Sequence, residues 1–137
     1  MNHVKPKIHP FLMFEGSAEE AMTMYTSLFE DSEIINMLHY GADESGVEGS
    51  VLHATFSVKG QEFMASDSNV KHDFTFTPSI SIFVTCDSEE EIDVAYAKLS
   101  QGGEILMPLA AYSFSAKFGW VKDKFGVSWQ LSLPLEL

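Results

Sequence analysis

The chain has 137 residues, the length of one ordinary domain, which excludes two large lobes. Twenty acidic against eight basic side chains give a formal charge of −12, which repels phosphate backbones and anionic headgroups, so nucleic acid is not expected as a partner. With 45% hydrophobic residues the chain can bury a core, while its apolar runs, such as Ile80–Val84, fall far short of the roughly 20 residues that cross a bilayer.

The opening MNHVKPKIHP lacks the apolar middle of a secretion signal, and one cysteine, Cys86, cannot form an internal disulfide. A cytoplasmic protein with no membrane contact is expected.

Ile8–Phe14 is short and apolar and reads as a strand. It runs through Glu15-Gly16 into Ser17-Ala18-Glu19-Glu20, where Ser17 and Glu20 have the spacing of a capping box. A helix is predicted near Ala18–Phe29, with Ala21, Met24, Tyr25 and Leu28 on its apolar face. Strands follow at Glu33–Tyr40, Val51–Val58 and Gln61–Ser66, separated by Gly41–Gly49 and by Lys59-Gly60. The connector Val70–Phe76 carries Phe74 and Phe76, which read either as a lid or as a subunit contact.

Ser79–Thr85 then leads through Cys86-Asp87 into a second capping box, Ser88 to Glu91. The helix near Ser88–Gln101 has Ile92, Ala95, Tyr96 and Leu99 at helical spacing. Strands are expected at Glu104–Tyr112, Ala116–Lys122 and Val127–Leu133.

The two halves repeat. Ser17 and Ser88, Glu20 and Glu91, Tyr25 and Tyr96, and Leu28 and Leu99 all match at a constant offset of 71. Each half reads β-α-β-β-β, which predicts an α+β fold: two modules whose curved mixed sheets surround a central cleft. One domain, 1–137, would hold module one at about 8–67, the connector at about 68–77 and module two at about 78–134.

Alternation assigns faces within the strands. Leu52, Ala54, Phe56 and Val58 alternate with His53, Thr55 and Ser57, and Val127, Trp129, Leu131 and Leu133 alternate with Ser128, Gln130 and Ser132. The apolar set should pack on helices, leaving the polar set to line the cleft.

Three stretches carry a family resemblance: PFLMFEGSAEEAMTMYTSLF, ISIFVTCDSEEEID and GWVKDKFGVSWQ. The chain resembles the vicinal-oxygen-chelate superfamily of glyoxalases, extradiol dioxygenases and bleomycin and fosfomycin resistance proteins. Within it, the chain looks like the PhnB-like branch, whose members often carry a demethylubiquinone methyltransferase label. That label has no support in the residues, because Gly41, Gly46 and Gly49 lie between two strands without GxGxxG spacing.

The resemblance implies metal positions on the first and last strands of each half, here Pro10 or His9, Met64, Ser81 and Gln130. The offset of 71 pairs Pro10 with Ser81 and assigns His9 to the helix-packing face. Proline, a thioether and a hydroxyl are poor ligands for a divalent ion, so no metal and no cofactor are expected. His3, His9, His39, His53 and His72 show no ligand spacing either.

His53 reads as a general base or as a hydrogen-bonded histidine without catalytic duty, and Gln130 as a group that orients a ligand oxygen or merely satisfies Ser81 or Ser128. Cys86 reads as buried filler before it reads as a nucleophile, and Glu89–Glu91 as a solvated first helical turn. Trp120 shares its parity with Phe118 and Ala116, which leaves cleft and core both open to it.

The expected ligand site is His53, Met64, Ser81, Trp120 and Gln130, holding a small organic molecule without metal; no catalytic residue is assigned. A metal-dependent lyase, isomerase or dioxygenase with an atypical ligand set is the alternative, and a pure interaction module the third reading. A homodimer is expected, because each module has a sheet edge to cover.

Overall fold

The computed structural model describes residues 5–136. The chain divides into two compact units between Lys71 and His72, inside the expected connector.

In the first unit β1 (Phe11–Phe14) leads into α1 (Ala18–Leu28), followed by β2 (Glu33–His39), β3 (Val51–Val58) and β4 (Gln61–Asp67). The sheet order is β1-β4-β3-β2, with β1 parallel to β4 and the other pairs antiparallel. Two-residue hairpins favour positive φ at both central positions, and Lys59 and Gly60 meet that with φ of 48° and 86°. Ala18, Ala21, Met22, Tyr25 and Leu28 form the buried stripe of α1. The Tyr25 ring lies 6.3 Å from Phe56, which stacks on Phe63 at 5.2 Å. Met22 takes the buried place expected for Met24 because Ala18 starts the stripe one turn earlier.

The second unit repeats the plan with β5 (Ile82–Thr85), α2 (Glu89–Ser100), β6 (Glu104–Tyr112), β7 (Ser115–Lys122) and β8 (Ser128–Leu133). Its order is β5-β8-β7-β6, again with one parallel pair, β5 with β8. Ile92, Ala95 and Leu99 face the sheet, and the Tyr96 ring lies so close over Gly119 that a Cβ there would stand 2.7 Å from its Cδ2. Two β-α-β-β-β units with one mixed four-stranded sheet each are the α+β modules the repeat implied.

The first strand of each unit is shorter than the apolar run suggests, beginning at Phe11 and Ile82 instead of Ile8 and Ser79. Ile8 and Ile80 are 88% and 74% exposed and lie outside the ladders, so they are not core residues.

The two helix starts differ. Ser88 accepts the Glu91 N–H at 3.1 Å and Glu91 accepts the Asp87 N–H at 2.8 Å, close to the expected box. Ser17 makes no capping bond; its ψ of 12° departs from the extended conformation that aims a cap hydroxyl along the helix. Asp67 acts in its place: Oδ1 accepts from Gly16 N at 2.8 Å and Ala18 N at 3.0 Å.

Candidate functional site

Strand pairing fixes which side chains share a sheet face. In the first unit Met64 pairs with Phe11 and Thr55, so Phe11, Met64, Thr55 and His53 lie on the face opposite Phe56 and Phe63. The His53 ring stands 6.3 Å from that of Phe11. His53 and Met64 are both half-buried there.

His9 belongs to this face as well. Its Nε2 lies 3.1 Å from Glu62 Oε1, and Glu62 shares the parity of Met64. The assignment of His9 to the helix side, with Pro10 as counterpart of Ser81, is therefore incorrect. Phe11 faces Met64 as Phe83 faces Gln130, so the first strands of the two units repeat at an offset of 72, although the helices repeat at 71. Counted from these equivalent positions, α1 begins seven residues after Phe11 and α2 six residues after Phe83, and Gly16, at φ 119°, lies in the longer stretch. Pro10 contributes only its carbonyl, which accepts the Met64 N–H at 2.9 Å.

In the second unit Gln130 pairs with Phe83 and Trp120, and Ser132 with Phe118. Trp120 thus stands on the Gln130 face, away from Val121, Trp129 and Leu131. Its indole Nε1–H donates to Ser128 Oγ at 2.8 Å. Ser128 Oγ is 2.7 Å from Ser81 Oγ, which accepts from Gln130 Nε2 at 3.3 Å. Three sequence-assigned residues, Ser81, Trp120 and Gln130, are therefore joined through Ser128 into one polar cluster. Phe83, which is exposed, extends the same face with aromatic surface and stands 6.4 Å from the buried Phe118.

Alternation marked Ser128 as polar and face-sharing, but nothing local said that it bridges Ser81 and Trp120 across 47 and 8 residues. Phe83 was legible by its two-residue spacing from Ser81. Glu62 was not singled out, since a single glutamate beside a hairpin turn has no distinctive pattern.

Other features serve the scaffold. Asp123, 2% exposed, accepts from Phe125 N, Val127 N and Trp129 Nε1 at 2.9, 3.0 and 3.0 Å, which closes the β7–β8 turn. Cys86 is buried, as filler would be. A hollow of about 620 Å³ opens beside it, lined by residues including Thr85, Asp87, Leu133 and Pro134; none of the five expected site residues lines it. Lys117 donates to Asp93 Oδ1 at 2.6 Å and Glu89 Oε1 at 3.2 Å, and these carboxylates, Asp93 foremost, hold its ammonium above the ordinary pKa of 10.5. Among the described residues no three His, Cys, Asp or Glu side chains are grouped as a metal centre would need. No described helix is long and apolar enough to cross a membrane.

Two β-α-β-β-β units, each with a parallel outer pair and a polar patch on the sheet face away from its helix, define a glyoxalase-like fold. The chain belongs to the family described as 3-demethylubiquinone-9 3-methyltransferase, whose model matches residues 6–132. It is 61% identical to a Bacillus cereus structure described as a putative 3-demethylubiquinone-9 3-methyltransferase, PhnB protein, covering 93% of this chain and 99% of that one at a TM-score of 0.91. The protein PA1353 from Pseudomonas aeruginosa is 28% identical over 96% of this chain and 100% of its own, with a TM-score of 0.82. A glyoxylase/bleomycin resistance protein/dioxygenase domain from Frankia sp. EAN1pec shares the fold at 13% identity and a TM-score of 0.66, covering 97% of this chain and 100% of that one. The methyltransferase wording is a family label: Gly41, Gly46 and Gly49 fall between β2 and β3 and form no strand-to-helix nucleotide turn.

Proposed function

We propose that this PhnB-like protein binds a small, partly apolar organic molecule without a metal, using His53, Met64, Ser81, Trp120 and Gln130 as contact residues. The observation that carries the reading is the Trp120–Ser128–Ser81–Gln130 cluster beside Phe83 and Phe118. Neutral hydrogen-bonding groups set in aromatic surface suit an organic ligand, and the donor set is poor for a divalent cation. Binding to the full chain, followed by the indole resonance of Trp120 in a small-molecule screen, tests this. Hits that shift Trp120 and weaken in Gln130→Ala support it; hits that leave Trp120 unmoved refute it.

A second reading, a lyase, isomerase or dioxygenase with an unusual metal set, is favoured by one observation. His9 and Glu62 supply nitrogen and oxygen donors on the face of Met64. Loss of bound metal and of ligand binding together in His9→Ala would support that reading against the first.

The same proposal takes the protein to be a cytoplasmic homodimer with no nucleic-acid partner, given a formal charge of −12 and exposed apolar side chains such as Phe74, at 60%. Phe74 stacks on His72 at 4.7 Å, which keeps both the lid and the subunit-contact roles open to the connector.

A further inference from the structure

Ser128 sets the direction of the hydrogen bonds in the second unit's polar cluster. Its side chain is in a residue only 2% exposed, so its hydroxyl hydrogen has to be used inside the protein. Trp120 Nε1–H already donates to Ser128 Oγ, and the remaining oxygen bonded to Ser128 Oγ is Ser81 Oγ, at 2.7 Å. Ser128 is therefore the donor in that pair. Ser81 Oγ then accepts twice, from Ser128 and from Gln130 Nε2, and its own O–H is left for a partner outside the cluster. Ser81 is half-buried, so a ligand can reach its hydroxyl.

The donations run one way, from indole to Ser128 to Ser81, and each polarises the next hydroxyl into a better donor. Lys122 shares the face by register with Ser128, but its ammonium is 3.7 Å from Glu104 Oε1, and the chain's charge of −12 opposes anions. Resting on the ligand-binding reading above, we infer that this cluster selects uncharged aromatic compounds bearing a hydrogen-bond acceptor, such as an aryl ketone. Ser81 donates the bond, and Ser128 is the positioning residue that aims it.

Acetophenone, ethylbenzene and benzoate titrated into the ¹⁵N-labelled full chain test the inference, with the Trp120 indole and Gln130 amide resonances as readouts. Ethylbenzene matches acetophenone in size but lacks the acceptor. The ketone should bind about five- to tenfold more tightly than the hydrocarbon, the effect of one net hydrogen bond, and more tightly than benzoate. Ser81→Ala should erase the ketone preference. Ser128→Ala should reduce it to within about twofold, and Ser128→Thr, which keeps a hydroxyl, should restore it. Equal affinity for ketone and hydrocarbon, tighter binding of benzoate, or a preference unchanged in Ser81→Ala overturns the inference while leaving a ligand site standing. Should Ser128→Ala not fold, the half-buried Ser81→Ala decides the outcome alone. Absence of any shift with all three compounds overturns the ligand-site reading together with this inference.

Discussion

The Asp67 carboxylate, 2% exposed, accepts the backbone N–H of Val51 through Oδ2 at 2.9 Å. Through Oδ1 it also holds the N–H groups of Gly16 and Ala18, so one side chain joins the end of β4, the start of β3 and the start of α1. Removing it leaves three backbone donors without their acceptor, two of those bonds being buried. Asp67→Ala should cost about 3 kcal/mol or more in urea unfolding. Ser17→Ala should change stability by less than about 0.5 kcal/mol, because Ser17 makes no capping bond. A Ser17 effect as large as that of Asp67 would refute this account of the helix start.

The second helix behaves differently. Ser88 does accept the Glu91 N–H, so Ser88→Ala should cost about 1 kcal/mol by the same measurement.

Lys117 gives a pH prediction. Its ammonium has a raised pKa in the folded chain, owing first to its bond with Asp93 and then to Glu89. A raised pKa contributes stability that is complete below the unfolded value of 10.5 and is lost as pH rises through the folded value. The melting temperature should therefore fall slightly above about pH 10.5, and this part of the decline should be missing in Lys117→Met. The pair is at the surface, so the effect is small. Parallel alkaline profiles for the two proteins would contradict it.

The proposed contacts make a binding prediction of their own. Gln130→Ala should weaken ligand binding by about 1 kcal/mol, the loss of one hydrogen bond, as read by titration. Ser81→Phe should block binding while the far-UV circular dichroism stays that of the parent, because Ser81 lies just before β5 and outside the core.

Much of this was legible in the sequence because it rests on local periodicity. The helices lie within one residue of the bounds predicted for them, and alternation in Val51–Val58 and in the last strand assigned the faces. The offset failed at His9 because a repeat measured on helices carries no information about a one-residue change in the spacing from the preceding strand. Asp67 was invisible for a related reason: its bonds to Gly16 and Ala18 span 51 and 49 residues, beyond any local pattern. Ser81 and Gln130 could be assigned to a face and Trp120 was left between cleft and core, but their bridge, Ser128, depended on β5 lying parallel to β8.

The central claim is that this chain binds a small organic molecule without a metal. Its most direct test is acetophenone titration at the Trp120 indole resonance, before and after exhaustive treatment with EDTA. The account predicts saturable binding with the same Kd in both samples. Binding abolished by the chelator and restored by zinc, nickel or manganese would contradict it.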